Sequence, residues 1–129
     1  MDFNESNKAI YLQIADVICD KVLEGTLRPA DRVPSVREYA ATVMVNVNTV
    51  MRTYDYLSTM GVIYNKRGVG YFVADDAESV IVKRRIEELM DGGAMERILR
   101  QWSMLHITPD TVAEMYNDYL NRHNNEKDN

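Results

Sequence analysis

The sequence feature that most constrains the fold is a pair of short amphipathic helices, predicted between Arg32 and Gly61. The first helix begins after Ser35, whose side-chain oxygen can accept a hydrogen bond from a backbone N–H of the first turn. Its apolar residues recur at helical spacing, at Val36, Tyr39, Ala40 and Val43. Only Met44 and Val45 separate this helix from the next one, so the connection is a tight turn.

The second helix of the pair is predicted to begin after Asn46, a preferred N-cap residue, and to end at Gly61. Its apolar face consists of Val47, Val50, Tyr54 and Leu57. Polar side chains that could contact nucleic acid lie near its start, at Asn46, Asn48, Thr49 and Arg52. Two helices joined by so short a turn are typical of a helix-turn-helix, in which the second helix enters the major groove of DNA.

The segment after Gly61 favours a β-hairpin. The β-forming residues on either side of the tip are Val62 and Tyr64, then Tyr71 and Val73. At the tip, Lys66 and Arg67 could meet phosphate, whereas Gly68 and Gly70 would let the backbone approach DNA closely. After a helix pair such a hairpin indicates the wing of a winged helix. Taken alone, it could equally be an ordinary hairpin with a solvated tip.

A further helix is predicted ahead of the pair, over residues 8–24, with Gly25 ending it. Its apolar side carries Ile10, Ile14, Val17, Ile18, Cys19 and Val22. A lone cysteine excludes an internal disulfide, and its position beside this apolar face favours a small core residue. The connection from Thr26 to Ser35 has no strong helix or strand signal.

The distribution of charge matters more here than the total. The formal net charge is −5, which at first argues against a nucleic-acid partner. From Thr26 to Val73, however, six cationic side chains stand against three carboxylates, a local net charge of +3. Because phosphate binding depends on the charges of the bound face, the acidic total does not exclude DNA.

Several other functional classes lack support. No apolar run approaches the roughly 20 residues that span a bilayer, and the N-terminus lacks the basic and apolar regions of a signal peptide, so a cytoplasmic protein is expected. No nucleophile–base set, phosphate-binding loop or metal-ligand spacing occurs. We therefore expect neither an enzyme nor a metal or other cofactor.

The last third of the chain predicts three helices: one from about Glu78 to Gly92, one from about Ala94 to Leu105, and one from Thr108 to about Arg122. Three short helices make a thin core alone, so a homodimer interface is predicted at Ile86, Leu89, Met95, Ile98, Leu99, Trp102, Met115 and Tyr119. The alternative is a pocket for a small-molecule effector beside Trp102 and the tyrosines.

With these elements in place, residues 10–73 resemble the winged-helix domain of GntR-type bacterial transcription regulators. The resemblance rests on IYLQIAD, on GTLRPADRVPSVRE, on VNVNTVMRTY and on RGVGYFV. The short helical C-terminus points more narrowly to the YtrA-like subfamily. Members of that subfamily carry a small helical dimerisation region and often repress operons for ABC-type transporters.

The resemblance implies roles for individual residues. Arg37 matches an operator-contacting arginine and Ser35 the cap on the phosphate side, while Asn48, Thr49 and Arg52 match the start of the recognition helix. Gly68 and Gly70 match wing-tip glycines that enter the minor groove. Two positions depart from the family pattern: Val47 replaces an arginine that often contacts guanine, and Met51 replaces a frequently basic residue.

The sequence thus predicts a mainly α protein with a small β-hairpin, a winged helix-turn-helix followed by a short α-helical dimerisation region. Residues 1–75 would bind DNA, 76–123 would dimerise and 124–129 would be a disordered tail. The predicted function is a homodimeric regulator, a repressor, that binds double-stranded DNA at a palindromic operator and controls a transporter operon. A ligand-sensing regulator and a winged-helix protein-interaction module are the alternatives.

Overall fold

The computed structural model describes residues 8–127, which divide after Arg85 into two compact units. The predicted absence of a signal peptide concerns the N-terminus, whose residues 1–7 lie outside the described part, as do residues 128–129 of the predicted tail. Within residues 8–127, no helix has the length and apolar character that a membrane span requires.

The first unit is a winged helix-turn-helix. Its elements are α1 (Ile10–Leu23), β1 (Arg32–Val33), α2 (Val36–Val43), α3 (Val47–Met60), β2 (Ile63–Lys66), β3 (Gly70–Val73) and the first part of α4 (Ala77–Met90). The predicted helix pair is therefore confirmed as α2 and α3, and the predicted hairpin as β2 and β3. The hairpin follows α3 directly, in the place of a wing.

The sheet has one strand more than the sequence predicted. Its order is β1-β3-β2 with both neighbours antiparallel, and Arg32 of β1 and Tyr64 of β2 both pair with Phe72 of β3. The connection before α2 therefore ends in a two-residue strand, although its sequence carries no strand signal. Since β1 leads directly into α2, this pairing fixes the start of the helix pair relative to the wing.

The core of this unit lies between α1, α3 and the inner face of the sheet. Its fully buried large side chains include Ile14, Ile18, Val33, Val50, Tyr54, Leu57, Ile63 and Val73. Cys19 is also buried, as predicted, whereas Ile10 is 42% exposed and Val17 only half-buried. The buried face of α1 is therefore narrower than predicted, because it does not include Ile10 and Val17.

The second unit consists of the end of α4 with α5 (Ala94–Met104) and α6 (Pro109–Lys127). Thr108 caps α6, because the Thr111 N–H donates to its hydroxyl oxygen at 3.2 Å. The predicted disordered tail from residue 124 differs from the structure, in which α6 continues without a break through Lys127. The polar sequence there carries no helix-breaking residue, and nothing ends the helix at Arg122.

The boundary between the units lies after Arg85, ten residues later than the predicted boundary between residues 75 and 76. The first two turns of α4 belong to the winged-helix unit, because Ala77 and Ile81 are buried in its core at 0% and 1% exposure. Arg85 extends this attachment to α1, donating to the Asp20 carboxylate at 2.7 Å and to the Asp16 carbonyl at 3.1 Å.

Candidate nucleic-acid interface

The start of α2 presents Arg37 to solvent in the first helical turn. Ser35 is the N-cap, and its hydroxyl oxygen accepts a hydrogen bond from the Glu38 N–H at 3.1 Å. This bond orients the first turn, because it satisfies one of the backbone donors that a helix leaves unpaired at its N-terminus. The predicted cap is confirmed. Arg37 is the second residue of α2, two positions after the Ser35 cap.

The turn between α2 and α3 is tight because Met44 adopts a left-handed conformation, with φ 58°. Asn46 then caps α3, its side-chain oxygen accepting from the Asn48 N–H at 2.8 Å. This contact occupies the amide oxygen of Asn46, so the amide –NH₂ is the group left to face solvent. Gly61 ends α3 with φ 87°, as its position in the sequence predicted.

The first two turns of α3 combine polar and apolar exposed side chains. Asn48 and Arg52 are exposed and Thr49 is half-buried. Of the two positions that depart from the family pattern, Val47 is half-buried and Met51 is 46% exposed. The solvent-facing side of the helix therefore offers one amide and one guanidinium, with a methionine between them.

Two buried side chains hold α3 in place behind this surface. The Tyr54 hydroxyl donates to the Pro34 carbonyl at 2.6 Å, and its ring meets that of Tyr71 in β3 edge to face at 5.0 Å. The Thr53 hydroxyl donates to the Tyr11 carbonyl at 2.8 Å. Through these contacts α3 is fixed to the entry of α2, to the wing and to α1.

Burial raises the pKa of the Tyr54 phenol well above its ordinary value, and the nearby Tyr39, Tyr71 and Glu38 raise this pKa further. The hydroxyl therefore stays protonated at neutral pH and remains a hydrogen-bond donor to Pro34. The hydrogen bond between Tyr54 and Pro34 therefore does not depend on a group that titrates near physiological pH.

The wing tip is a cationic loop closed by two glycines. The Val69 N–H donates to the Lys66 carbonyl at 2.9 Å, and Gly68 takes a left-handed φ of 77° that allows the tight turn. Lys66 and Arg67 are both exposed there, and the Lys66 ammonium lies 6.0 Å from the Phe72 ring centroid. The predicted tip residues are thus brought together at one end of the hairpin.

The structure adds Arg32 to the wing, a residue that the sequence analysis did not assign to the site. A Cβ atom on Gly70 would lie 3.2 Å from Arg32 Nε, so the guanidinium group packs across the glycine. Gly70, with φ 140°, therefore makes room for a side chain of the same sheet. Close approach to DNA is not needed to explain this glycine.

Tyr11 is a second neighbour of the surface that sequence analysis missed. The guanidinium carbon of Arg52 lies 4.0 Å from its ring centroid. Both side chains line one open depression of about 340 Å³, together with Ala9, Ile10, Asn48 and Thr49. The exposed start of α3 and the first turn of α1 thus form one concave surface.

The residues predicted for the dimer interface lie in α4, α5 and α6. None of the side chains from residue 86 to residue 125 is buried in the single chain. Large apolar side chains there are substantially exposed, including Ile86 at 51%, Leu89 at 60%, Leu99 at 50% and Met115 at 54%. Met95 and Trp102 are half-buried, and Ile98 and Tyr119 are exposed.

Among residues 8–127, no three His, Cys, Asp or Glu side chains are grouped so that they could hold a metal ion. The arrangement that remains is an exposed polar helix start beside a cationic hairpin, and the helix is fixed from behind by buried hydrogen bonds. Such a surface can place amide and guanidinium groups against base edges while lysine and arginine meet phosphates.

Comparison with known proteins agrees with this geometry. Residues 10–73 match the family model of bacterial regulatory proteins of the gntR family. The HTH-type transcriptional regulator YhcF of Bacillus subtilis (strain 168) is 36% identical over 110 residues, covering 85% of this chain and 88% of that protein. The HTH-type transcriptional repressor YtrA of the same organism is 35% identical over 81 residues, covering 63% of this chain and 62% of that protein.

Among solved structures, a transcriptional regulator of the GntR family from Bacteroides thetaiotaomicron superposes with a TM-score of 0.71. It is 45% identical, and the match covers 89% of this chain and 99% of that one. Such a likeness extends over the helices that follow the wing as well as over the winged helix itself. The chain therefore belongs to the GntR family of bacterial DNA-binding transcription regulators, as its sequence motifs predicted.

Proposed function

We propose that this protein is a cytoplasmic, homodimeric repressor that binds a two-fold symmetric operator, with one α3 helix in each of two major grooves. The observation that carries this proposal is the exposed polar start of α3, which Tyr54 and Thr53 hold rigidly beside the cationic wing. The proposed DNA contacts are those predicted from the sequence: Ser35, Arg37, Asn46, Asn48, Thr49, Arg52, Lys66, Arg67, Gly68 and Gly70.

Five of the residues on the two helices fall into two groups by chemistry. Ser35 and Asn46 use their oxygens as helix caps, which leaves the hydroxyl proton and the amide –NH₂ as donors for backbone phosphates. Asn48, Arg52 and Arg37 supply the side chains that can make bidentate contacts with adenine or guanine. Each such contact discriminates against a wrong base by roughly 1–3 kcal/mol.

The apolar side chains at positions 47 and 51 affect which sequence is bound. Neither Val47 nor Met51 can donate a hydrogen bond to guanine, so they favour apolar contacts such as the methyl group of thymine. The operator of this protein would therefore differ from those of relatives that carry arginine at position 47 or a basic residue at position 51. Specific contacts would concentrate on Asn48, Arg52 and Arg37.

The dimer is supported by the lack of any buried side chain between residues 86 and 125. A helical unit with so much exposed apolar surface needs a covering partner, and a second copy presents the same surface in a self-complementary way. The proposed interface comprises Ile86, Leu89, Met95, Ile98, Leu99, Trp102, Met115 and Tyr119. Two-fold symmetry then places half-site centres one helical turn, about 10 bp, or a multiple of it apart.

Repression rests on similarity to B. subtilis YtrA, which is itself named a transcriptional repressor. Control of a transporter operon follows from the resemblance to the YtrA-like subfamily. Binding of a small-molecule effector beside Trp102 stays a prediction. Membership of a DNA-binding family makes a purely protein-binding winged helix the less favoured alternative.

A gel-shift titration with operator DNA tests the proposed recognition surface. Arg37→Ala and Arg52→Ala should each weaken binding of the operator by at least about tenfold, the equivalent of 1.4 kcal/mol. Arg122→Ala makes the same charge change on the exposed surface of α6 and should leave affinity within about twofold. If Arg37→Ala and Arg52→Ala both bind the operator like the wild type, the assignment of the recognition surface is wrong.

A further inference from the structure

We propose that Tyr11 is a positioning residue for DNA recognition, because it holds the guanidinium group of Arg52 in its binding orientation. The guanidinium carbon lies 4.0 Å from the centroid of the Tyr11 ring, well within the range in which a cation is attracted to a ring face. This inference rests on the proposed function, which takes Arg52 as a DNA contact, and adds a residue of α1 to the recognition surface.

The Tyr11 ring is itself fixed relative to α3. The backbone carbonyl of Tyr11 accepts a hydrogen bond at 2.8 Å from the hydroxyl of Thr53, the residue next to Arg52. The Tyr56 ring, one turn further along α3, meets the Tyr11 ring edge to face with centroids 6.1 Å apart and planes at 82°. Arg84 in α4 in turn lies 5.6 Å from the Tyr56 ring centroid. The backbone of Tyr11 is thus tied to α3, and its ring lies against both Tyr56 and Arg52 within the first compact unit.

Arg52 is exposed, and among the side chains that the structure describes no carboxylate pairs with it. With respect to residues 8–127, its guanidinium N–H groups are thus available for a base edge or a phosphate. A guanidinium group that stacks on an aromatic ring uses one face of its plane and keeps its N–H edge accessible, and the 4.0 Å distance from the Arg52 guanidinium carbon to the Tyr11 ring centroid fits such a stack. Because an unrestrained arginine would lose rotamer freedom on binding, this stacking reduces the entropic cost of the contact.

Arg52 borders the open depression at the start of α3. This depression is also lined by Tyr11, Asn48 and Thr49, among others. Arg52 and Asn48 line the same concavity, so Tyr11 orients the guanidinium beside the amide that is proposed to contact an adenine. A change at Tyr11 should consequently alter affinity for the operator more than affinity for unrelated DNA.

A double-mutant cycle on the full chain tests this inference, with the dissociation constant (Kd) for operator and for unrelated DNA as the measured quantities. Tyr11→Leu should raise the operator Kd roughly 2- to 10-fold, the loss expected for a partly exposed cation–π contact. Tyr11→Phe keeps the ring and should bind like the wild type. In the Arg52→Ala background, Tyr11→Leu should have no further effect on the operator Kd.

Other outcomes separate this inference from the proposed function. If Tyr11→Leu weakens binding equally with and without Arg52, Tyr11 acts through the fold and the inference is overturned. If Arg52→Ala weakens binding while Tyr11→Leu does not, only the inference fails. If Arg52→Ala itself changes nothing, the assignment of Arg52 as a DNA contact fails and the inference fails with it.

A second measurement does not depend on the folding of any Tyr11 variant. In the operator complex of the wild-type protein, NMR resonances of the Arg52 δ-methylene protons should be shifted upfield by the ring current of Tyr11, relative to those of Arg37. Unshifted Arg52 resonances in the complex would mean that the stack is absent when DNA is bound, and would overturn the inference.

Discussion

Replacing Tyr54 with phenylalanine removes one hydroxyl group from the centre of the winged helix without changing its packing. The hydroxyl donates to the Pro34 carbonyl at 2.6 Å, and the ring is 0% exposed. Loss of the hydrogen bond leaves the carbonyl without this donor, although Pro34 is an exposed residue that water can approach. We therefore expect the free energy of unfolding to fall by about 1–2 kcal/mol, within the range for a partly buried hydrogen bond.

Tyr39 offers a matched control in the same cluster of rings. Its ring centroid lies 6.4 Å from that of Tyr54, and it is 4% exposed. Among the residues that the structure describes, its buried hydroxyl has no hydrogen-bond partner. Tyr39→Phe should therefore be neutral or slightly stabilising, because a buried hydroxyl without a partner carries a desolvation penalty.

The effect should also depend on pH in a defined direction. The folded-state pKa of Tyr54 is raised above the ordinary value of 10.0, chiefly by burial. The stability that the neutral phenol contributes is complete below pH 10 and decreases as the pH rises above it, because ionisation then favours the unfolded chain. The difference in stability between wild type and Tyr54→Phe should accordingly shrink above about pH 10.

Urea denaturation followed by far-UV circular dichroism, at one fixed protein concentration, measures these differences. The expected result is a lower urea midpoint for Tyr54→Phe with an unchanged slope, and a midpoint for Tyr39→Phe at or above that of the wild type. Equal destabilisation by the two substitutions would show that the hydrogen bond from Tyr54 to Pro34 contributes nothing specific to stability.

Three further predictions concern the wing and the second unit. Lys66→Ala should weaken binding to all DNA sequences alike and reduce the slope of log K against log salt by about 1; Lys83→Ala is the control, and an unchanged slope would contradict a phosphate contact at the wing tip. Leu99→Glu should shift the protein from dimer to monomer in analytical ultracentrifugation, whereas an unchanged mass would remove Leu99 from the interface. Gly70→Ala should cost about 1–3 kcal/mol in urea unfolding, because an L residue is strained at this φ and its Cβ would crowd Arg32. Adding Arg32→Ala should recover only the part due to crowding, and full recovery would show that the backbone is not strained.

The helix pair could be predicted because its boundaries are encoded locally. Ser35, Asn46 and Gly61 each act on backbone groups within a few residues, so their chemistry is visible in the sequence. The hairpin was predictable for the same reason, since its strands are adjacent and its turn contains Gly68. Local signals of this kind specify where an element begins and ends.

Elements that depend on distant partners could not be predicted in this way. The strand β1 exists because Arg32 and Val33 pair with Phe72 and Tyr71, some 40 residues away. The start of α4 belongs to the winged-helix unit because Ala77 and Ile81 are buried in its core. The amphipathic pattern of α4 predicts an apolar face, but it does not specify which part of the protein covers that face.

The candidate site shows the same division. Asn48, Thr49 and Arg52 could be selected from their position after the cap, because exposure follows from helical periodicity. The contact between Arg52 and Tyr11 joins α3 to α1 and has no local signal. The packing of Arg32 against Gly70 likewise depends on the sheet register, so the glycine alone suggested a different reason for its presence.

Selection of bound DNA from a random pool by this protein is the most direct way to determine whether α3 and the wing of two protomers bind a symmetric operator. The recovered sites should contain two inverted half-sites whose centres are about 10 bp, or a multiple of it, apart. Recovery of a single unpaired half-site, or no enrichment over the starting pool, would contradict this mode of binding.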